Sequence, residues 1–120
     1  MKATIRTDGF EGYAKRSLAR AKKLSRGERI EPERNITFES PLDMLEVLTA
    51  ERIRLCEVAR TRAFSISGLA AALKRDPKSV RRDILKLERV GVLRTREEIN
   101  PGHGRIVEPV AKSFELRARF

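Results

Sequence analysis

The residues of this chain with the clearest chemical potential are the lysines and arginines that follow Asp76-Pro77. They recur at short intervals within one amphipathic segment, at Lys78, Arg81, Arg82, Lys86 and Arg89. Ammonium and guanidinium groups neutralise phosphates, and an arginine can also donate two hydrogen bonds to the O6 and N7 atoms of guanine. Ser79 adds a hydroxyl group that could serve either a phosphate or a base. This combination favours binding to a polyanion.

A helix is predicted to position these side chains. Asp76 is a suitable N-cap, Pro77 suits the first helical position, and Gly91 is placed to end the helix near Val90. The predicted apolar stripe, which would face a core, consists of Val80, Ile84 and Leu87, widened by Leu85. The basic side chains lie off that stripe and are therefore expected to point outward.

The surface of this predicted helix carries a larger excess of positive charge than a purely structural helix usually does. Positions 78, 82 and 86 share one face, and like charges four residues apart destabilise an isolated helix. Residues 74–96 hold nine basic side chains against three acidic ones, so Asp83 and Glu88 moderate the charge without neutralising it. A solvated basic face used for protein contacts remains the alternative interpretation.

The whole chain is strongly basic. Its 120 residues carry 27 Lys and Arg against 17 Asp and Glu, a formal net charge of +10. Such a balance favours nucleic acid as a partner first, an acidic protein second and a membrane surface third, while surplus surface charge is the plain alternative. The sequence contains no apolar run long enough to cross a bilayer and begins with no apolar signal segment, so we expect a cytoplasmic protein.

Enzymatic chemistry is poorly supported. The single cysteine, Cys56, has no second Cys for a disulfide or a zinc site, and Ile53 and Cys56 are instead expected in a core. The single histidine, His103, lies in a turn-rich stretch and could touch a phosphate or simply be solvated. Glu97-Glu98 is best interpreted as solvated charge. We therefore expect no enzyme, no cofactor and no metal.

The first part of the chain, residues 1–39, is predicted to be a β-α-β-like extension. Short β-branched or alternating stretches at residues 3–7 and 35–39 favour strands. Between them, residues 10–24 place apolar side chains three and four apart, typical of a helix with one narrow stripe. Its basic surface leaves three roles open: a nucleic-acid arm, a membrane-surface helix, or a dimerisation or partner helix.

The second part, residues 40–111, reads as helix, helix, short strand, short helix, longer helix and hairpin. Ser40-Pro41, Thr49 and Ser67 are predicted helix starts. The three-residue connection at 74–76 matches a helix-turn-helix, and a hairpin directly afterwards matches a wing. We thus predict an α+β fold, a winged helix-turn-helix with an N-terminal extension. The tail, residues 112–120, alternates like a strand and is expected to join the N-terminal strands in a small sheet, formed within one chain or between two subunits.

The segments Ser65-Ile66-Ser67-Gly68-Leu69-Ala70 and Leu87-Glu88-x-x-Gly91-Val92-Leu93 resemble winged helix-turn-helix regulators of the MarR-like kind. With Ile36-Thr37-Phe38-Glu39 and Thr49-Ala50-Glu51-Arg52 added, the chain is similar to a group of small prokaryotic DNA-binding proteins. Some members of that group are TumA-type antitoxins of TumE toxins. The resemblance implies a DNA-binding regulator, with a cognate toxin as one candidate partner.

These patterns together predict a sequence-specific regulator of double-stranded DNA, acting as an autorepressor and as a homodimer. Arg81 and Arg82 are expected at base edges, supported by Lys78 and Ser79. The expected phosphate, backbone or minor-groove contacts are Arg75, Lys86 and Arg89 near the helix and Arg94, Arg96 and Arg105 in the wing. A protein-interaction module that neutralises a toxin by direct contact, with DNA binding secondary, is the alternative.

Overall fold

The computed structural model describes residues 1–97 and 104–120. Its elements follow in the order β1 (Lys2–Arg6), α1 (Gly9–Ser25), β2 (Arg34–Thr37), α2 (Pro41–Val47), α3 (Ala50–Ala59), β3 (Phe64–Ser65), α4 (Ile66–Leu73), α5 (Pro77–Arg89), β4 (Leu93–Glu97), β5 (Arg105–Pro109) and β6 (Ser113–Arg117). The predictions for Glu98 and His103 fall outside the described residues. Within the described ranges, none of the helices has the length and apolar character that a bilayer span requires.

The chain divides into two compact units. The first comprises Met1–Glu46 together with Ser113–Phe120, and the second comprises Val47–Lys112. The first unit contains a three-stranded sheet of order β2-β1-β6, and the second contains a three-stranded sheet of order β3-β5-β4. Each unit therefore has a sheet of its own.

The first unit confirms the predicted β-α-β extension. β1 and β2 run parallel, as a crossover through α1 requires, and β6 pairs in parallel with the other edge of β1. Ile5 pairs with Ile36 of β2 on one side and with Leu116 of β6 on the other. These three residues, one from each strand, form an apolar row across the sheet. The C-terminal tail thus completes a sheet within a single chain.

The second unit is a winged helix-turn-helix. α4 contacts both α3 and α5, and the turn between α4 and α5 occupies residues 74–76 as predicted. Directly after α5, β4 and β5 pair as an antiparallel hairpin, and β3 adds a third strand beside β5. Leu55, Leu69 and Val107 are among the side chains that are fully buried between these helices and strands.

Three predicted helix starts are confirmed and one is wrong. Ser40 directly precedes α2, and its hydroxyl accepts a hydrogen bond from the Asp43 amide at 3.2 Å. Thr49 caps α3 by accepting a hydrogen bond from the Arg52 amide, and Asp76 caps α5. The predicted cap Ser67 lies inside α4 instead. Ser65 is the cap, because it ends the extended β3 segment and its hydroxyl accepts the Gly68 amide at 3.0 Å. The helix therefore begins two residues earlier than the sequence pattern indicated.

The buried side of α3 also differs from the prediction. Leu55 and Ala59 are almost fully buried, whereas Ile53 is 39% exposed. Cys56 is half-buried, and burial, with a smaller contribution from Glu57, raises the pKa of its thiol to about 12. The thiol is therefore protonated and a poor nucleophile at neutral pH.

Candidate nucleic-acid interface

The two sides of α5 differ sharply in character. On one side, Val80, Ile84 and Leu87 are each at most 1% exposed to solvent. The opposite side is exposed and carries Lys78, Arg81, Arg82, Leu85, Lys86 and Arg89. We call these six residues the outer face of α5. At about 100° per residue, Lys78, Arg82, Leu85 and Arg89 fall along its centre line, with Arg81 and Lys86 at its margins.

The outer face carries unneutralised positive charge. Its five cationic side chains form no salt bridge with any carboxylate among residues 1–97 and 104–120. Repulsion between like charges at four-residue spacing costs a few tenths of a kcal/mol per pair in a helix. The fold tolerates that cost because the reverse side of α5 is anchored in the core, and a polyanion would remove it.

Leu85 departs from the prediction that it would widen the buried stripe. Its side chain is 52% exposed and lies between Arg82 and Arg89 on the centre line of the outer face. The reason is geometric, because the buried stripe is centred on Val80 and Leu87 and Leu85 lies more than a quarter turn away. An exposed apolar group among cations is suited to contact an apolar patch, such as a thymine methyl group.

The ends of α5 are fixed by local hydrogen bonds. The Asp76 carboxylate accepts the Ser79 amide at 3.1 Å, and Pro77 occupies the first turn. At the other end, Gly91 adopts a φ of 89°, and the Val92 amide donates to the Leu87 carbonyl at 2.9 Å. A glycine adopts this left-handed conformation without strain, so the predicted stop signal is confirmed.

A buried ion network fixes the orientation of α5. Asp83 is 8% exposed on the inner side of the helix. Its two carboxylate oxygens accept hydrogen bonds from Arg52 Nε of α3 at 3.0 Å and from Arg75 Nη2 of the turn at 2.8 Å. Arg75 Nη2 also donates to Ser79 Oγ at 2.9 Å. We call Arg52, Arg75, Ser79 and Asp83 the Asp83 network.

The network holds Asp83 in its charged form. Burial raises the pKa of this carboxyl, but the hydrogen bonds and the positive charges of Arg75 and Arg52 together outweigh burial and hold the pKa below its ordinary value of 3.8. Charge-assisted hydrogen bonds of this kind are about twice as strong as neutral ones. The carboxylate therefore joins α3, the helix-helix turn and α5 at neutral pH.

The network engages two of the residues that were predicted to contact DNA. The Arg75 side chain is 19% exposed and the Ser79 residue is half-buried, and both point toward Asp83 rather than into the outer face. The sequence pattern gave no indication of the network, because its partner Arg52 lies 31 residues from Asp83 along the chain.

The wing is fastened to the end of α5. Glu88 Oε2 accepts the Thr95 amide at 3.2 Å and the Thr95 hydroxyl at 2.8 Å. Glu88 was interpreted from the sequence as a moderating charge on the helix, and its role as an anchor was missed. Because β4 begins only four residues after α5 ends, these bonds limit how far the wing can swing.

The wing arginines lie on the two strands of the hairpin. Arg94 is directly opposite Glu108, and Arg94 Nε donates to Glu108 Oε1 at 2.8 Å. Arg96 Nε approaches Glu108 Oε2 at 3.4 Å, so one carboxylate orients both guanidinium groups. Arg105 is exposed at the start of β5, opposite Glu97. The wing thus presents three arginines, two of which share a carboxylate.

The described residues offer little for metal binding. Across residues 1–97 and 104–120, the fold gathers no group of three His, Cys, Asp or Glu side chains suited to hold a metal ion.

Two solved structures resemble this fold. One is the homodimeric winged helix-turn-helix DNA-binding domain of Mb0332 from Mycobacterium bovis, with 12% identity, a TM-score of 0.50, and coverage of 81% of this chain and 72% of that one. The other is ZitR from Lactococcus lactis in complex with DNA, with 13% identity, a TM-score of 0.50, and coverage of 88% of this chain and 68% of that one. At such low identities the likeness shows the winged helix-turn-helix fold alone.

The sequence comparisons place the second unit in a family. No curated protein matched the chain. A family model described as HVO_A0114 matches residues 47–112, which is more than half of the chain and coincides with the second unit. The chain therefore belongs to the HVO_A0114 family.

Proposed function

We propose that this protein is a sequence-specific transcriptional regulator that inserts the outer face of α5 into the major groove of double-stranded DNA. The observation that carries this proposal is the set of five cations on that face, none of which is paired with a carboxylate among the described residues. In a winged helix-turn-helix fold the second helix of the motif is the element that enters the groove. The fold and the charge thus favour the same surface.

The residues of this surface have different roles in the proposal. Arg82, on the centre line, and Arg81, beside it, read base edges, and Lys78 supports them. Lys86 and Arg89, nearer the end of α5, bind phosphates. The wing residues Arg94, Arg96 and Arg105 follow the backbone or the minor groove.

Arg75 and Ser79 act on the groove indirectly in this proposal. Arg75 donates hydrogen bonds to Asp83 and to Ser79, and these bonds hold the first turn of α5 against the turn that precedes it. Since a misplaced recognition helix cannot form bidentate contacts with a base, a rigid first turn is a requirement for sequence reading.

The experiment begins with selection of a binding sequence from a random duplex library, followed by gel shifts on the selected duplex. Replacing Arg81, Arg82 and Lys86 by alanine together should abolish the specific complex. Arg82→Ala alone should weaken it by about 1–3 kcal/mol and relax preference at one base pair. Unchanged affinity of the triple variant would refute the proposal.

A matched control removes equal charge from elsewhere in the second unit. Arg54, Arg60 and Lys112 are all exposed, and none lies on α5 or the wing. Their triple alanine variant loses the same three positive charges. If this control weakened binding as much as the α5 variant, general electrostatic attraction rather than the outer face would explain affinity.

The finer parts of the proposal concern regulation and partners. We propose that the protein is a homodimer, in keeping with the paired half-sites that helix-turn-helix readers span, and that it represses its own promoter. Its own upstream region should then compete with the selected duplex at equal concentration. The kinship with MarR-like regulators and with TumA-type antitoxins remains a prediction from the sequence.

A protein-interaction role is the second candidate function. In it, the chain neutralises a toxin by direct contact, and DNA binding is secondary. The observation that favours this role is the large exposed apolar surface of α1, on which Phe10 is 71% and Leu24 64% exposed. Co-expression with the neighbouring reading frame would test it, because a stable complex that survives loss of the α5 cations would support direct neutralisation.

A further inference from the structure

Helix α1 exposes nearly all of its apolar side chains. Phe10, Tyr13, Leu18 and Leu24 are exposed by 71%, 55%, 59% and 64%, and Gly9 is the one residue of the helix that is buried. The ring centroids of Phe10 and Tyr13 lie 6.2 Å apart, so the two rings form one continuous patch. A contiguous apolar surface of this kind on a water-exposed helix indicates an interaction site.

The opposite side of α1 is the one attached to its own unit. Gly12 and Arg16 are half-buried there, and Arg16 Nη2 donates to Thr37 Oγ1 of β2 at 2.9 Å while Nη1 pairs with Asp8. The Phe10 amide is held by Glu39 Oε1 at 3.0 Å. These contacts fix the rotation of the helix about its axis, so the apolar stripe points away from its own sheet.

The order of side chains along this stripe is nearly symmetric about its centre. Phe10 and Leu24 are each seven residues from Ser17, and Tyr13 and Ala21 are each four residues from it. Large groups thus stand at the two ends, and small groups, Ala14 and Ser17, stand in the middle, while Leu18 lies about 100° around the helix from Ser17, at the edge of the stripe. Such a pattern matches itself when a second helix lies antiparallel across it.

We propose that α1 is the homodimer interface of this protein, packing antiparallel against α1 of a second copy about a two-fold axis near Ser17. Phe10 of one copy then contacts Leu24 of the other, at both ends of the interface. The small side chains at the centre allow the two helices to approach closely. The proposal rests on the homodimeric state included in the proposed function and does not depend on DNA binding.

The charges of α1 favour the antiparallel arrangement over a parallel one. The helix carries five basic residues and one acid, Glu11, which lies near the amino end. Antiparallel packing separates the two Lys22-Lys23 pairs by about ten residues, or roughly 15 Å, which exceeds the Debye length at physiological salt. Parallel packing would place those pairs side by side.

The available area fits a specific but modest dimer. The exposed aromatic and leucine side chains provide on the order of 500 Å² per copy, and so about 1,000 Å² for the pair, which is the lower limit for a specific interface. We therefore expect dissociation in the micromolar range rather than an obligate dimer.

Disulfide trapping of the full chain tests the interface. In a Cys56→Ala background, Ser17→Cys places one thiol near the proposed axis in each copy, and mild oxidation should convert most of the protein to a covalent dimer. Ala19→Cys is the matched control, because residue 19 lies about 160° around the helix from residue 17 and should give little dimer. Equal cross-linking at both positions, or none at Ser17, would overturn the proposal.

Sedimentation equilibrium supplies an independent measurement. Leu24→Glu should raise the dimer dissociation constant at least tenfold, whereas Ala19→Glu, which introduces the same charge on the other side, should leave it unchanged. Both sites are exposed, so neither variant threatens folding. A parent chain that is monomeric at 100 μM, or a dimer indifferent to Leu24→Glu, would overturn the proposal, as would a different protein bound through α1 to a monomer.

Gel shifts with the same variants separate this proposal from the DNA-binding one. If Leu24→Glu produced a monomer that still bound a single half-site, the interface would be supported. If the parent chain were a dimer that bound no DNA, and Leu24→Glu still dissociated that dimer, the interface would stand and the proposed function of α5 would fail.

Discussion

Replacement of Asp83 by asparagine should destabilise the second unit by about 2–3 kcal/mol. Removing one partner from a buried ion pair costs about 3–5 kcal/mol, because the remaining charges stay buried and unpaired. Here the value is smaller, since the Asp83 side chain is 12% exposed, the Arg75 side chain is 19% exposed, and asparagine keeps one acceptor of similar shape. Urea unfolding at pH 7, followed by circular dichroism, measures this difference.

The pH dependence of the difference in unfolding free energy between the parent and Asp83→Asn tests whether the charge of Asp83 provides this stability. The pKa of Asp83 is lower in the folded protein than its ordinary value of 3.8. Its contribution to stability is therefore fully present above about pH 5 and is lost as the pH falls through the folded pKa. The gap in unfolding free energy between the parent and Asp83→Asn should stay constant from pH 7 to pH 5 and shrink below pH 4.

The control for this prediction is Glu57→Gln, which neutralises an exposed carboxylate on α3. It should change stability by less than about 0.5 kcal/mol. The reasoning is refuted if Asp83→Asn behaves like this control, or if the gap persists unchanged at pH 3. Weaker DNA binding by Asp83→Asn, with Arg81 and Arg82 intact, would then link the network to the orientation of α5.

Three further predictions concern single residues outside the outer face. Lys74→Gly should stabilise the protein by about 0.5–1 kcal/mol, because Lys74 adopts a φ of 55° that glycine tolerates better; thermal unfolding checks it. Glu88→Ala should cost about 1–2 kcal/mol and speed amide exchange at Thr95, whose amide and hydroxyl lose their acceptor, while slow exchange there would contradict the anchoring role. Cys56, whose thiol pKa is about 12, should resist alkylation at pH 8 until urea unfolds the chain, and rapid native-state labelling would be inconsistent with its burial.

Local signals in the sequence predicted the position of α5 well. Asp76, Pro77 and Gly91 act through backbone groups within a few residues, so the bounds of α5 could be read directly from the chain. The same holds for Thr49 and α3. Ser65 was missed because Ser67 offers the same chemistry two residues later, and the choice depends on where the extended β3 segment ends.

Long-range pairing was predicted only in part. The C-terminal tail was expected to join the N-terminal strands, but the sequence left open whether one chain or two subunits form that sheet, because β6 and its partner β1 lie more than a hundred positions apart. The same difficulty hid the bond between Arg52 and Asp83, since a charge on a helix gives no indication of which distant arginine will meet it. Leu85 was misplaced because its apolar character was given more weight than its angular position, which is on the far side of the helix from Val80 and Leu87.

The proposed contact between the outer face of α5 and DNA is tested most directly by the salt dependence of affinity for the selected duplex. The logarithm of the binding constant should fall linearly with the logarithm of salt concentration, with a slope of about −0.9 for each phosphate neutralised. Lys86→Ala should reduce the magnitude of that slope by about 1 and weaken binding to all sequences alike. An unchanged slope, with unchanged affinity, would show that this face of the helix does not lie against DNA.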